Sequence, residues 1–152
     1  IDHFKPFNDT WGHAAGDVAL RTVARAIQGG VRQSDIVVRY GGEEFVALFP
    51  GMGAEAAVER AEALRRAVEA LSLAVPRRHQ SARVTISAGV SVFGYDGTEA
   101  EDLLDQADAR LFQAKAAGRN RVTGPPPEAD TANYSILRSF ESASRSQHTE
   151  NK

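Results

Sequence analysis

Apolar residues recur at every third or fourth position in three stretches of the chain, which is the spacing of one face of an α-helix. The stretches run from residue 17 to residue 31, from 54 to 71, and onward from residue 98. Thr98 and Glu101 stand three residues apart ahead of the third stretch, a spacing typical of a capping box. The sequence therefore predicts three amphipathic helices.

Two runs of β-branched and aromatic residues lie between the first and second predicted helices. Residues 36–40 and 45–49 are separated by a glycine- and glutamate-rich turn at 41–44, which predicts a β-hairpin. Residues 84–92 predict another strand, and residues 121–123 predict a short last strand. This order of helices and strands predicts an α/β sandwich in which helices pack on a sheet.

The composition limits the class of protein. A chain of 152 residues with 42% hydrophobic and 25% charged residues fits one soluble globular domain, and no apolar run is long enough to span a bilayer. The sequence has no cysteine, which excludes a disulfide framework, a thiolate zinc site and a cysteine nucleophile. The formal net charge of -2 gives no electrostatic reason to expect binding to DNA, RNA or an acidic membrane.

The region after the last predicted strand differs in composition from the rest. A glycine and three prolines at 124–127 end the regular structure, because consecutive prolines remove hydrogen-bond donors. We therefore place the domain at residues 1–123 and expect residues 124–152 to form a mostly flexible tail. Four residues of this tail would suit a brief docking helix: Tyr134, Ile136, Leu137 and Phe140.

The predicted hairpin turn has an unusual composition for a turn that only reverses the chain. Its glycines, Gly41 and Gly42, would let the phosphates of a ligand approach the backbone closely. Its carboxylates, Glu43 and Glu44, supply the hard oxygen ligands that Mg²⁺ prefers. These features indicate a site for a metal and a nucleotide, although the turn taken alone is explained as well by a solvated tip.

Five blocks of sequence resemble, in order and spacing, the GGDEF family of diguanylate cyclases. They are residues 1–9, 12–17, 39–45, 87–91 and 107–122, and the third contains the signature in its GGEEF form. The resemblance extends to residue 123. It implies a ferredoxin-like, nucleotidyl-cyclase palm-type sandwich, with a mixed central sheet flanked by helices and the signature on a β-hairpin. The implied reaction condenses two GTP molecules into cyclic di-GMP and pyrophosphate.

The resemblance also assigns roles to individual residues. Glu43 would deprotonate the attacking 3′-hydroxyl, and the site for Mg²⁺ or Mn²⁺ would comprise Ile1, Glu43 and Glu44. Asn8 and Asp17 would hydrogen-bond guanine, whose edge an amide and a carboxylate can read through their different donors and acceptors. The full substrate-binding set that the resemblance implies is Phe4, Lys5, Asn8, His13, Asp17, Gly41, Gly42, Lys115 and Arg119.

Several of these residues also have simpler structural explanations. Phe4 and Lys5 resemble a loop whose backbone amides hold the triphosphate, and the Phe4 ring would belong to the core. Asp17 stands at a predicted helix start, where it could serve as the N-cap. Lys115 and Arg119 resemble phosphate-binding residues and would share one face if the helix continued, but solvated surface positions would suit both equally.

Arg32 and Asp35 form an Arg-x-x-Asp motif ahead of the signature. This motif resembles the family's inhibitory site for its product. An arginine can stack on guanine and hydrogen-bond its acceptor edge, and an aspartate can accept from its amine. The register of the motif relative to Gly41 favours product inhibition over a chance surface pair.

The sequence departs from the family pattern at its start. The family's first strand ends in a metal-binding Asp that would directly precede Ile1, and Asp2 matches a different position. A central strand satisfies the backbone hydrogen bonds of both its neighbours. We therefore expect that the sequence is part of a longer protein or is inactive by itself.

Catalysis in the family requires two facing domains, so we expect a homodimer with GTP and cyclic di-GMP as ligands, located in the cytoplasm. Two other functions are compatible with the same residues. One is a receptor that binds GTP or cyclic di-GMP without catalysis, against which the intact set Glu43, Glu44, Lys115 and Arg119 argues. The other is a nucleotidyl cyclase or polymerase-like palm domain with a different substrate.

Overall fold

A computed structural model describes residues 1–76, 79–126 and 129 of the chain. The elements in chain order are α1 (Phe4–Trp11), α2 (His13–Gly29), β1 (Ile36–Arg39), β2 (Phe45–Leu48), α3 (Ala54–Glu69), β3 (Leu73–Ala74), β4 (Ser81–Ala82), β5 (Ala88–Gly89), α4 (Ala100–Ala116) and β6 (Val122–Thr123). Within this described part, no helix is long and apolar enough to cross a membrane.

The strands pair in twos and confirm a mixed α/β fold. β1 and β2 form the predicted antiparallel hairpin, in which Ile36 pairs with Leu48 and Arg39 with Phe45. β3 pairs antiparallel with β4, and β5 pairs parallel with β6. Among the described residues these pairs are three separate two-stranded sheets, so the expected single central sheet is not formed there.

The strand predicted over residues 84–92 is confirmed only at β5. A strand is defined by a ladder of hydrogen bonds to a neighbouring strand. Residues 84–87 have a single such main-chain bond in the described part of the chain, from the Asp2 amide to the Thr85 carbonyl at 2.9 Å. Val84 and Ile86 are nevertheless buried, so their apolar character reflects packing without a ladder.

The main core lies between the helices α1, α2 and α3 and the segment from residue 73 to residue 86. Phe4 and Phe7 are three positions apart in α1, so they lie on the same face of the helix and both pack into this core. The other buried members are Ala15, Ala19, Val23, Ile27, Leu64, Val68, Leu73, Val75, Ala82, Val84 and Ile86. This core fixes α1 against α2 and so sets the geometry between those two helices.

Two helix starts differ from the prediction. α2 begins at His13, and Asp17 therefore lies inside the helix and cannot be its N-cap. α4 begins after Glu99, and no side chain of the described residues caps it, so the capping box predicted at Thr98 and Glu101 is wrong.

α1 and the β3–β4 pair were not predicted. α1 has only eight residues and contains a proline in its first turn, which is tolerated there because the missing amide would have no helical acceptor. β3 and β4 have two residues each, too few for an alternating pattern. The tail predicted at 124–152, with its possible docking helix, lies outside the described residues except for 124–126 and Ala129.

Candidate functional site

The hairpin turn between β1 and β2 is held by hydrogen bonds among residues 39–44. The amides of Tyr40 and Gly41 both donate to the Glu44 carbonyl, at 2.9 and 3.3 Å. The Arg39 guanidinium folds back over the turn and donates to the carbonyls of Gly41 at 3.2 Å and Gly42 at 2.5 Å. These contacts leave the Glu43 side chain half-buried and the Glu44 side chain exposed.

The side chain of Glu44 lies close to Gly41. A Cβ at Gly41 would lie 2.8 Å from Glu44 Oε2, closer than such atoms approach in proteins. The Glu44 carboxylate is thus folded over the first glycine of the turn. No described atom lies within 4 Å of a Cβ built at Gly42, so that position faces open space.

The first residue of the chain lies against the turn. The Ile1 amino group donates to the Glu43 carbonyl at 3.0 Å. Burial lowers the pKa of this amino group; Asp2, Glu43 and Glu44 oppose the shift by their negative charge, whereas Lys115 adds to it. The predicted residues Ile1, Glu43, Glu44 and Lys115 are therefore brought within electrostatic range of one point.

The groups near the signature turn that could bind a metal as anions or carbonyls all do so through oxygen atoms. Within the described part of the chain, no three His, Cys, Asp or Glu side chains are grouped closely enough to hold a metal alone. The carboxylates of Glu43 and Glu44 and the main-chain oxygen of Ile1 would supply a partial set of hard ligands. Such a set fits Mg²⁺, which usually keeps several waters or takes phosphate oxygens besides one or two carboxylates.

The predicted loop at Phe4 and Lys5 is instead the first turn of α1. Phe4 is buried in the core, as expected, and Lys5 is exposed. The amides of a helix's first turn have no acceptor within the helix, and no described side chain caps α1. The two main-chain amides expected to face a triphosphate therefore belong to a helix N-terminus, which favours anions.

Asn8 presents a buried acceptor with no partner. Its Oδ1 is inaccessible to solvent and has no hydrogen-bond partner among the described residues. A Cβ built on Gly16 of α2 would overlap this oxygen, so the amide occupies space that only glycine leaves open. Buried acceptors are almost always satisfied in proteins, so this oxygen needs a donor that the described residues do not supply.

His13 and Asp17 are both exposed and stand one helical turn apart at the start of α2. They lie on an exposed face of α2, whereas Gly16 in the same part of the helix is buried against Asn8. The structure therefore places Asn8 and Asp17, the residues predicted to read the base, on the neighbouring helices α1 and α2.

Lys115 lies in the last turn of α4 and is half-buried. The helix ends at Ala116, so Arg119 does not continue its face. Arg119 lies instead in a reversal in which Gly118, Arg119 and Asn120 have φ angles of 110°, 63° and 47°. This reversal brings the Arg119 amide back to the Ala114 carbonyl at 3.0 Å.

Arg32 and Asp35 form a separate site at the start of β1. The Arg32 amide donates to Asp35 Oδ2 at 2.8 Å, and the Asp35 amide donates to the Arg32 carbonyl at 3.0 Å. The Arg32 side chain is exposed, and a cavity of about 280 Å³ lies beside the pair, lined also by Gln28 and Val37. The motif is thus a folded turn with space beside it.

Sequence reasoning missed the role of Asp2. This carboxylate is buried, and burial alone would raise its pKa. Hydrogen bonds from Ser87, Thr85 and the Asn120 amide, with the nearby Ile1 ammonium, outweigh that effect and lower the pKa below its usual range. Since its donors are 83 to 118 residues away in sequence, no local pattern could have revealed them.

Comparisons with known proteins agree with this arrangement. The family model for the diguanylate cyclase GGDEF domain matches residues 1–121. Diguanylate cyclase A of Treponema denticola is 44% identical over 123 residues, which are 81% of this chain and 33% of that protein. Response regulator PleD of Caulobacter vibrioides is 44% identical over 124 residues, which are 82% of this chain and 27% of that protein.

Two solved structures show the same fold. The GGDEF domain of DgcB from Caulobacter crescentus, solved in complex with c-di-GMP, superposes with a TM-score of 0.73 at 35% identity, covering 81% of this chain and 72% of that one. The active GGEEF domain of a diguanylate cyclase from Vibrio cholerae gives a TM-score of 0.73 at 31% identity, covering 80% of this chain and 76% of that one.

The chain spans about a third or less of the length of the two curated relatives, at 33% and 27%. The match nevertheless includes the hairpin turn, both helices beside it and the turn after α4. By sequence, by fold and by the arrangement around its signature turn, this chain belongs to the GGDEF domain family of diguanylate cyclases.

Proposed function

We propose that this chain is the catalytic domain of a diguanylate cyclase. Two such domains face each other, and each holds one GTP. The 3′-hydroxyl of each GTP attacks the α-phosphate of the other, so that two phosphodiester bonds form and two pyrophosphates leave. The observation that carries the proposal is the contact of Ile1 with the signature turn at the Glu43 carbonyl, with the charges of Glu43, Glu44 and Lys115 close enough to act on the Ile1 amino group.

The proposal gives each residue of the turn and its neighbours a task. Glu43 accepts the proton of the attacking 3′-hydroxyl, for which its half-buried position beside the chain start is suited. A bound Mg²⁺ or Mn²⁺, held by Glu43, Glu44 and the Ile1 main chain, would offset the charge of the triphosphate. Lys115 and Arg119 neutralise phosphate oxygens and stabilise the charge that develops on the leaving pyrophosphate.

The base is held between α1 and α2. Asn8 Oδ1, which has no donor among the described residues, accepts a hydrogen bond from a guanine N–H once the Asn8 side chain turns from its solvent-inaccessible position against Gly16. Asp17 accepts a second one from the exposed start of α2. Guanine carries two neighbouring N–H donors on this edge and adenine does not, so the same pair explains a preference for GTP over ATP.

Gly16→Ala is expected to weaken GTP binding at least about tenfold, because the new methyl group would displace the Asn8 amide and leave the base donor unpaired. The dissociation constant of a non-reactive α,β-methylene analogue of GTP, measured by calorimetry with Mg²⁺, checks this. Gly29→Ala on the same helix is the control, since no described atom lies within 4 Å of its Cβ. Equal affinities of the two variants would contradict the role of Asn8.

We also propose that cyclic di-GMP inhibits the enzyme at Arg32 and Asp35. The exposed guanidinium and the cavity beside it support this, because a guanine base needs both a stacking cation and room. The site lies at the opposite end of β1 from the signature turn. Product bound there would act on turnover without entering the site of Glu43.

Arg32→Ala is expected to raise the concentration of cyclic di-GMP that halves the turnover rate. A bidentate contact between arginine and guanine contributes about 1–3 kcal/mol, which corresponds to roughly 5- to 150-fold. Initial rates of pyrophosphate release at increasing product concentrations measure the change. Arg25→Ala, on the exposed side of α2, is the control and should leave the inhibition curve unchanged.

The catalytic proposal is tested by incubating the purified protein with GTP and Mg²⁺ and measuring both pyrophosphate and the cyclic dinucleotide. Stoichiometric formation of both supports it. Binding of GTP or cyclic di-GMP without pyrophosphate release would replace it with a receptor function. Pyrophosphate release from ATP at least as fast as from GTP would instead identify a nucleotidyl cyclase with a different substrate.

A further inference from the structure

Asp2 is the centre of a buried hydrogen-bond network. Only 5% of its surface is exposed, and both carboxylate oxygens are occupied by donors. Oδ1 accepts from the Ser87 hydroxyl at 2.7 Å. Oδ2 accepts from the Thr85 hydroxyl at 2.7 Å and from the Asn120 main-chain amide at 3.1 Å. One carboxylate thus joins the start of the chain, the segment before β5 and the turn after α4.

The network continues through the side chain of Asn120 to α3. Asn120 Oδ1 accepts from Arg65 Nη1 at 2.6 Å, and its Nδ2 donates to Glu69 Oε1 at 2.6 Å. Arg65 is 9% exposed and is held in turn by Glu62 and Glu69, at 2.8 Å each. Asn120 is therefore fixed through its main chain by Asp2 and through its side chain by α3.

The turn that this network holds is strained. Arg119 and Asn120 both have positive φ angles, 63° and 47°, a conformation that costs residues other than glycine free energy. Such a conformation persists only where surrounding contacts enforce it. The contacts to Asn120 from Asp2, Arg65 and Glu69 are contacts of that kind.

We infer that Asp2 is a positioning residue that fixes the Arg119 turn relative to the N-terminus of α1. Arg119 directly precedes Asn120, and the first amides of α1 follow Asp2 by two and three residues. The carboxylate therefore sets the distance between two segments that approach the same triphosphate. This inference rests on the proposed function for the identity of that ligand, but not for the coupling between Asp2 and the turn.

The hydrogen bonds to the Asp2 oxygens indicate that this residue acts by accepting hydrogen bonds and not through its negative charge. Three protein donors occupy three of the roughly four lone-pair sites of the Asp2 carboxylate, so the contacts that the structure shows for it are hydrogen bonds to protein groups. Asparagine could reproduce the pattern, because its carbonyl can face Thr85 and the Asn120 amide while its NH₂ group donates to the Ser87 hydroxyl. Alanine leaves all three donors without a partner.

Asp2→Ala and Asp2→Asn are compared by calorimetry with the α,β-methylene analogue of GTP and Mg²⁺, and by hydrogen exchange of the peptide spanning 118–123. For Asp2→Ala we expect at least tenfold weaker binding and at least tenfold faster exchange. For Asp2→Asn we expect both values within threefold of those of the unaltered protein. Binding by Asp2→Asn as weak as by Asp2→Ala would overturn the inference in favour of charge, and unchanged binding and exchange in Asp2→Ala would overturn it outright.

Asp96→Ala is the matched control for general destabilisation. Like Asp2, Asp96 has a buried carboxylate; it accepts from the Val92 amide at 2.8 Å and pairs with Arg110 at 2.7 Å. We expect it to lower the melting temperature while leaving the affinity within twofold; an equal loss of affinity would overturn the inference. If Asp2→Ala does not fold, the double substitution Thr85→Val and Ser87→Ala takes its place, because it removes the two hydroxyl donors that hold the Asp2 carboxylate.

The two measurements, binding of the GTP analogue and hydrogen exchange, separate a failure of this inference from a failure of the proposed function. If the unaltered protein binds no GTP analogue, the proposed function fails, and the exchange arm alone decides whether Asp2 holds the turn. If it binds the analogue and Asp2→Ala does so equally well, the inference fails and the proposed function stands.

Discussion

Glu43→Gln is expected to lower the rate of cyclic di-GMP formation at saturating GTP by at least about 10²-fold. General-base catalysis by a positioned side chain contributes typically 10² to 10⁴ in rate, and glutamine cannot accept the proton. The substitution also exchanges the charged carboxylate proposed to bind the metal for a neutral amide while keeping the shape of the side chain. The Glu43 carbonyl, which accepts from the Ile1 amino group at 3.0 Å, is unaffected, so the turn should keep its form.

Steady-state pyrophosphate release with Mg²⁺ measures this effect, and binding of the α,β-methylene analogue of GTP separates chemistry from affinity. Glu59→Gln is the control, since Glu59 is exposed on α3 outside the candidate site. Turnover of Glu43→Gln within tenfold of the unaltered protein would show that Glu43 is not the base. A loss confined to affinity would assign it to metal or substrate binding alone.

Gly89→Ala is expected to reduce the free energy of unfolding by at least about 3 kcal/mol, at the upper end of what overpacking a core costs. A Cβ at this position would overlap the Ala107 carbonyl of α4 and lie 2.5 Å from the Leu111 amide nitrogen. Both atoms belong to the backbone of the helix, so no side-chain rotation can relieve the overlap. The helix would have to move away from β5, and the ladder between β5 and β6 would be disturbed with it.

Urea unfolding followed by circular dichroism at 222 nm measures the change. Gly29→Ala is again the control; it should leave stability unchanged or raise it by up to about 1 kcal/mol, because alanine is favoured over glycine in helices. If both variants unfold at the same urea concentration, the close approach of α4 to β5 is wrong. For a domain of this size the expected loss corresponds to a melting temperature lower by roughly 10 °C.

The sequence predicted the elements whose patterns are long. The hairpin agreed to within one residue at each strand end, and the helix predicted over 54–71 is α3, Ala54–Glu69. Prediction from the sequence failed where an element depends on residues far away in the chain. Residues 84–87 were predicted as a strand from their composition, but a strand also needs a neighbour, and composition carries no information about one.

The candidate site was predicted through the family resemblance more than through local physics. The residues of the turn at 41–44 suit a metal and a nucleotide, but taken alone they are explained by a solvated tip, and only the family resemblance favoured the site. Asn8 gave no local signal, because an asparagine near a helix end has many ordinary uses. Its buried, unpaired oxygen became evident only once α1 and α2 were packed together.

In the proposed function, recognition of the base depends on the absence of a Cβ at position 16 of α2. Gly16 has no side chain, and every single-nucleotide change that replaces a glycine introduces at least a Cβ, which would overlap Asn8 Oδ1. Ala14, two positions earlier in the same helix, is exposed and already carries a Cβ. One substitution at position 16 is therefore a short evolutionary route from a nucleotide-binding domain to a homologue that keeps the fold and has lost its ligand.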